Sequence, residues 1–224
     1  MTICTWTLLE ENWDALGGWA DNDILGAVSS ISPAGQLYLD CRALSASGFA
    51  ARSKDFGTIG TGDYTAYMRF SGDVWDGVGS EGSMGLRLEI DAQTNKLLVI
   101  IANNYTSGGG TDGIWVFDGA SYVKVVTKTW DTNFHTIRFD VHNSQTDVDI
   151  YVDDEGSPSA TDADCSLATT TDGFTQIIGF GTVAGNGEYH IDYIKINAGN
   201  CDPTEGVAVG GNPMFFSGGG VTVG

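Results

Sequence analysis

Two carboxylates on one strand face are the pairing in this chain best suited to bond-breaking chemistry. In Leu86 to Gln93, LRLEIDAQ, side chains alternate between faces, so Glu89 and Asp91 project to the same side. Hydrolysis of a glycosidic bond with retention needs two carboxyl groups about 5 Å apart, one as nucleophile and one as proton donor. The next position on that face is Gln93, whose amide cannot deliver a proton. Moreover, AQTN reads as the turn of a hairpin between LRLEID and KLLVII, which sets Gln93 at the sheet margin. The segment is expected to be an outward polar strand face, and the protein is expected not to be an enzyme. The sequence carries no GxSxG elbow, P-loop or HExxH motif.

Binding chemistry has more candidates. Tyr67 and Arg69, Arg87 and Glu89, Arg138 and Asp140, and Asp149 and Tyr151 fall on polar strand faces. On neighbouring strands the arginines and carboxylates would form cross-strand pairs. The alternative is a sugar-binding surface, where planar polar groups bond hydroxyls and an aromatic ring stacks on a pyranose. Two long Gly-rich loops each carry one aromatic, Trp75 in GDVWDGVGSEG and Tyr105 in NNYTSGGGTDG, and such loops often serve recognition. The candidate glycan contacts are therefore Trp75, Tyr105, Tyr67, Arg69, Arg87, Glu89, Arg138 and Tyr151. Acidic clusters around Asp21 and Asp23, around Asp153 and Asp154, and at Asp162 and Asp164 offer the oxygen ligands a hard cation prefers, without an EF-hand loop. Asp21, Asp23, Asp153 and Asp154 are the candidates for calcium.

A formal charge of −19, with ten Lys and Arg against 29 Asp and Glu, excludes nucleic acid and anionic membrane as expected partners, because phosphate binding needs a basic patch. The acidity suits a solvated surface. The opening MTICTWTLLEENWD lacks a basic n-region, and no segment has the length and apolarity to span a bilayer. The expectation is synthesis in the cytosol without signal-dependent export. Four cysteines at 4, 41, 165 and 201 form no CxxC pair, which argues against a zinc knuckle or a thioredoxin-type site. Cys4 precedes the first strand and Cys201 follows the last, so a bridge between them is a candidate if the terminal strands are neighbours; free, half-buried thiols are the state expected of a cytosolic product. His135 shares a strand face with Ile137 and reads as a structural histidine.

These groups must be positioned by strands. From Trp130 to Asp154, Ile137, Phe139 and Val141 alternate with Thr136, Arg138 and Asp140, and after a polar turn Val148, Ile150 and Val152 alternate with Asp147, Asp149 and Tyr151. Such a hairpin needs a second sheet over its apolar face. Strand patterns recur at Trp6 to Trp13, Gln36 to Leu44, Phe49 to Phe56, Asp63 to Phe70, Met84 to Asp91, Lys96 to Ala102, Gly113 to Phe117, Tyr122 to Thr129, Gln176 to Gly181 and Tyr189 to Asn197. No helical periodicity is evident, and the 32 glycines sit between apolar runs, as tight turns require. An all-β, antiparallel two-sheet β-sandwich over residues 1–199 follows, as one domain.

The sequences FHTIRFDV after Trp130, VDIYVDDEG, and the late YHIDYIKIN resemble the laminin-G and concanavalin A-like jelly-roll superfamily, and ENWDALGGWADND resembles its first strand. The likeness runs from about Glu10 to Asn197. It implies a jelly roll shared by lectins, carbohydrate-binding modules, glycoside hydrolases, polysaccharide lyases and virion proteins, so the fold alone does not select a function. Family 16 glycoside hydrolases of this fold carry E-I-D-x-E or E-I-D-x-x-E; Glu89 and Asp91 match the first two carboxylates, and Gln93 or Thr94 replaces the third. The lyase strand patterns are left incomplete by Tyr189-His190 and by Tyr193 to Lys195.

Residues 200–224 change character, with Val207 to Val209 and Met214, Phe215 and Phe216 set among glycines. An exposed Met-Phe-Phe patch promotes association, and a Gly-rich apolar arm suits strand addition to a neighbouring subunit. In general style the arm resembles those of phage particle proteins. The expectation is a homo-oligomeric structural or decoration subunit of a bacteriophage virion, made in the host cytoplasm, with glycans as further partners. A free carbohydrate-binding module or lectin is the first alternative, and a family 16 type hydrolase with a degenerate motif is the second.

Overall fold

The structure is a computed structural model of the 224-residue chain and describes residues 3–21, 23, 28–40, 50–55, 61–74, 85–91, 96–105, 110–166, 177–183 and 187–203. Its strands in chain order are β1 (Leu9–Glu11), β2 (Ala20–Asp21), β3 (Val28–Ile31), β4 (Leu37–Asp40), β5 (Ala51–Asp55), β6 (Tyr64–Val74), β7 (Gly85–Asp91) and β8 (Lys96–Tyr105). There follow β9 (Thr111–Phe117), β10 (Tyr122–Val126), β11 (His135–His142), β12 (Asp147–Val152), β13 (Ala160–Asp164), β14 (Ile177–Val183) and β15 (Glu188–Ala198). Each strand expected from the sequence has a counterpart among the described residues. The strands β2, β3 and β13 were not expected, because AD, VSSI and ATDAD are too short or too polar to show an apolar period.

All strand pairing is antiparallel, in two sheets. The eight-stranded sheet runs β13-β12-β11-β6-β15-β4-β3, and β1 also pairs with β15. The seven-stranded sheet runs β10-β9-β8-β7-β14-β5-β2. In the β11–β12 hairpin, Ile137 faces Val152, Phe139 faces Ile150 and Val141 faces Val148, and all six side chains are buried. Opposite them, β7 to β9 bury Leu86, Leu88, Ile90, Leu97, Val99, Ile101, Ile114 and Val116 in the same core.

Two details set the outer face of the eight-stranded sheet. In β15, Ile191 and Ile194 are both buried although three positions apart, because the register shifts between Ile191 and Tyr193. That irregularity resets the alternation and turns Tyr193 and Lys195 outward. At one end of the core, Glu11 gathers the main-chain N–H of Trp13 at 3.2 Å, Trp19 Nε1 at 3.0 Å and Lys54 Nζ at 2.8 Å. The ring centres of Trp13 and Trp19 lie 4.7 Å apart beside this carboxylate.

Candidate functional site

The outer face of the eight-stranded sheet carries a continuous polar and aromatic row. Tyr151, Arg138, Tyr67, Lys195 and Glu10 stand directly opposite one another on β12, β11, β6, β15 and β1. On one side lies the row Asp149, Asp140, Thr65 and Asn197; on the other, Thr136, Arg69 and Tyr193. The period of two places every one of them away from the core.

The floor of this face is closely packed. The Arg138 guanidinium carbon lies 3.5 Å from the centre of the Tyr151 ring, its Nη1 donates to Asp202 at 3.1 Å, and its Nε is 3.3 Å from Asp140. Tyr67 donates its hydroxyl to Asp154 at 2.7 Å, and its ring packs 5.5 Å from that of Tyr193 and 5.9 Å from that of Trp6, nearly parallel to the latter. Tyr67, Arg138 and Tyr151 are 5, 7 and 9% exposed, so they form a base. The accessible rim comes from Trp6, Arg69, Tyr193, Lys195, Asp154, Glu155 and Asp202. Between them is a cleft of about 60 Å³ lined by Arg138, Tyr151, Asp154, Glu155, Gly156, Asp202 and Pro203. That is room for about two waters or the edge of a larger ligand.

Each of the three cations on the face, Arg69, Lys195 and Arg138, has a carboxylate partner. Arg69 pairs with Asp192, Lys195 Nζ with Glu10 at 2.8 Å, and Arg138 with Asp202 and Asp140. Burial pushes the Asp140 carboxyl above its ordinary range, against the hydrogen bond from Thr65 and the charge of Arg138. Burial, with the hydrogen bonds to Tyr193 and Asp154, pushes the Tyr67 hydroxyl well above the usual phenol value, so it stays a donor.

The terminal segments cross this face. Cys4 and Cys201 form a disulfide with Cα atoms 5.0 Å apart, in place of the free thiols expected of a cytosolic product. Cys165 is free and buried, and burial pushes its thiol up to about 12.

Of the residues singled out in the sequence, Tyr67, Arg69, Arg138 and Tyr151 are brought together here. Arg87 and Glu89 lie on β7 in the other sheet; Glu89 is half-buried and meets Lys96 Nζ at 3.2 Å, while the side chains of Arg87 and Asp91 lie outside the described residues. Tyr105 is no loop-tip aromatic: it ends β8, is 4% exposed, and packs 4.7 Å from Trp115 in a second apolar cluster with Ile100 and Ala102. Trp75 and the Met214, Phe215 and Phe216 arm lie outside the described residues.

The calcium candidates are engaged elsewhere. Asp21 pairs with Arg52 at 3.1 Å, and Asp23 accepts from the N–H groups of Ser29 and Ala51. Asp153 meets Lys128 at 2.6 Å and His135 at 3.0 Å, and Asp154 takes the Tyr67 hydroxyl, so the carboxylates of these two successive residues serve separate partners. His135 is buried between Asp131 and Asp153, the structural role expected of it. At the β13 edge, among the described residues, His142, Asp147 and Asp162 bring ligand atoms within 4.8 Å of one another. Imidazole with carboxylates suits a transition metal better than calcium.

Sequence reasoning missed Trp6, Asp192, Lys195 and Asp202 as parts of this face. The IDYIKI spacing, with isoleucines three and then two apart, was the available signal for the shift that exposes Tyr193 and Lys195. Nothing local marks Asp202, which reaches Arg138 on the segment after β15 that the disulfide joins to the N-terminal one.

No family model matches this chain, and no curated protein matches it. Solved structures do. A β-1,3-glucanase from Mycobacterium marinum aligns with TM-score 0.56 and 14% identity over 84% of this chain and 97% of its own. A carbohydrate esterase from the Shiga toxin-encoding bacteriophage phi24B gives 0.57 and 12% over 86% and 98%. The Emp46p carbohydrate recognition domain gives 0.57 and 11% over 89% and 100%. The fold is therefore the concanavalin A-like sandwich. The expectation that the protein is not an enzyme is overturned by these matches, which include further mycobacterial structures named a putative β-glucanase and glycoside hydrolase family proteins at 14 to 15% identity. A carboxylate pair can be completed across strands as well as along one, so the amide at Gln93 does not exclude catalysis on this scaffold.

Proposed function

We propose that this protein binds uncharged carbohydrate through the outer face of its eight-stranded sheet, centred on the cleft beside Arg138. The observation that carries this is the row Tyr151, Arg138, Tyr67 and Lys195, flanked by Trp6 and Tyr193. Aromatic faces beside alternating carboxylates and cations are the groups that stack on pyranose rings and bond their hydroxyls. Because each cation on the face already has a carboxylate, the surface favours hydroxyl-rich neutral ligands over anionic ones. The test is a panel of neutral and acidic polysaccharides, with retention measured for the wild type, Trp6→Ala and Asp154→Asn. Selective retention of a neutral glycan, weakened by both substitutions, supports the proposal; no retention, or retention indifferent to both, rejects it.

We also read the domain as a subunit of a larger particle, a bacteriophage virion, with the Met214, Phe215 and Phe216 arm joining copies. The match to a phage-encoded carbohydrate esterase and the apolar arm support this reading. Light scattering of the full chain beside a chain ending at Pro203, which keeps the disulfide, tests it: a defined oligomer that becomes monomeric on truncation is expected, and a monomeric full chain rejects it.

A second reading, glycan hydrolysis on the seven-stranded sheet at Glu89, draws on the glucanase matches. It requires release of reducing sugar that Glu89→Gln abolishes while retention on the other sheet persists.

A further inference from the structure

We propose that the Cys4–Cys201 disulfide is a redox-controlled clasp that assembles the cleft beside Arg138, so that ligand binding is confined to oxidising surroundings. The ligand in this statement rests on the carbohydrate reading above; the clasp does not.

Both segments joined by the disulfide lie over the outer face and outside the named strands. The first, from Ile3 to Thr7, brings Trp6 onto Tyr67. The second, from Gly199 to Pro203, supplies Asp202 to Arg138 and one wall of the cleft. Among the described residues, their other direct hydrogen bond to each other and part of the first segment's anchorage on β15 are long. Cys4 N reaches Asp202 O at 3.4 Å, and the N–H groups of Thr5 and Thr7 share Asn197 Oδ1 at 3.3 and 3.4 Å. Other anchors are of ordinary length: Ala198 N to Thr7 Oγ1 at 3.2 Å for the first segment, and for the second Gly199 N to Asp63 O at 2.7 Å, Cys201 N to Thr65 Oγ1 at 3.1 Å and Asn197 Nδ2 to Gly199 O at 3.2 Å. Hydrogen bonds weaken with distance, so the covalent bond is the strongest link between the two segments, the one that ties the Trp6 segment to the segment carrying Asp202.

The chemistry is a two-electron thiol–disulfide exchange. A thiolate of a dithiol reductant attacks one sulfur; Cys4, 9% exposed, is more open than Cys201, 1% exposed. The S–S bond breaks, the other cysteine leaves as a thiolate and takes a proton, and a mixed disulfide forms. The reductant's second thiolate attacks that mixed disulfide, frees the attacked cysteine, which is protonated in turn, and leaves the reductant as its own disulfide. With the bond open, Trp6 lifts from Tyr67 and Asp202 leaves Arg138. A thiol-rich compartment thus holds the cleft apart, and transfer to an oxidising one closes it.

The test is hydrogen exchange read by mass spectrometry on the full chain, oxidised and after dithiothreitol, beside the Cys4→Ser/Cys201→Ser variant, with retention of the neutral glycan panel in parallel. Exchange over 3–8 and 199–203 is expected to rise by about tenfold or more on reduction while β11 and β12 hold. Glycan retention is expected to weaken by a similar factor and to return on reoxidation of the wild type but not of the variant. Unchanged exchange in both segments overturns the clasp, and so does a uniform rise across the sandwich, since the bond would then be a global staple. Local opening with no glycan retained by either redox form keeps the clasp and rejects the carbohydrate reading. Equal retention by both forms rejects the clasp and keeps that reading. If the variant fails to fold, the reduced wild type decides.

Discussion

Arg138 rests on Tyr151, its guanidinium carbon 3.5 Å from the ring centre, while the same side chain neutralises Asp140 and Asp202. Three jobs in one residue make it both the base of the cleft and the counter-charge of a buried acid. Arg138→Ala leaves Asp140 unpaired in the packed face, and removing one partner of a buried pair costs about 3 to 5 kcal/mol. We expect Arg138→Ala to lose stability at the lower end of that range and Arg138→Ala/Asp140→Ala to recover part of it, measured by urea denaturation. Additive losses in the double variant would show that the two groups are not coupled.

Asp153 sets an acid limit on the loop after β12. Burial raises its carboxyl, but hydrogen bonds from Lys128 and His135 outweigh burial and hold it below the ordinary aspartate value. A depressed carboxylate contributes stability above its unfolded pKa of about 3.9 and loses it as pH falls through the lower folded value. The wild type should therefore exceed Asp153→Asn at pH 7 by about 1 kcal/mol or less, given partial exposure, and the two should converge in strong acid. Thermal melts against pH check this, and a gap that persists undiminished in acid would assign the effect to packing.

Glu11 ties three elements together by accepting from Trp13 N, Trp19 Nε1 and Lys54 Nζ. Glu11→Ala strands the indole and ammonium donors in a partly buried corner. A loss of about 2 to 3 kcal/mol is expected, from desolvated donors left without acceptors. Near-ultraviolet circular dichroism should report the change at the Trp13 and Trp19 pair; an unaltered spectrum with unaltered stability would remove Glu11 from its bracketing role.

Gly113 is required by space and by backbone. Its φ is +151°, and a Cβ there would overlap the carbonyl oxygen of Val126 on β10, while its own carbonyl accepts from Trp130 Nε1 at 3.1 Å. Gly113→Ala should separate β10 from β9 and cost more than the roughly 1 kcal/mol of a simple glycine replacement. Faster hydrogen exchange confined to β10 is the expected signature, and wild-type protection there would contradict the close approach.

What the sequence determined by itself was the direction of the side chains in regularly alternating strands such as β11 and β12. Alternation in FHTIRFDV and VDIYVDD sent Ile137, Phe139, Val148 and Ile150 inward and Arg138 and Tyr151 outward, and the structure keeps that pairing residue for residue. A period of two encodes a face, because a strand has only two. It does not encode which strand lies alongside. Tyr67 and Lys195 are neighbours because β6 and β15 pair across more than a hundred residues, and their meeting depends on the register shift before Tyr193. Tyr105 has the glycine-rich context of an exposed loop aromatic yet is buried against Trp115, because β8 continues further than its apolar run. The site itself was decided only by tertiary structure: the segment after β15, which the Cys4–Cys201 disulfide joins to the N-terminal one, carries Asp202 onto Arg138, and long-range closure of that kind leaves no periodic trace in the chain.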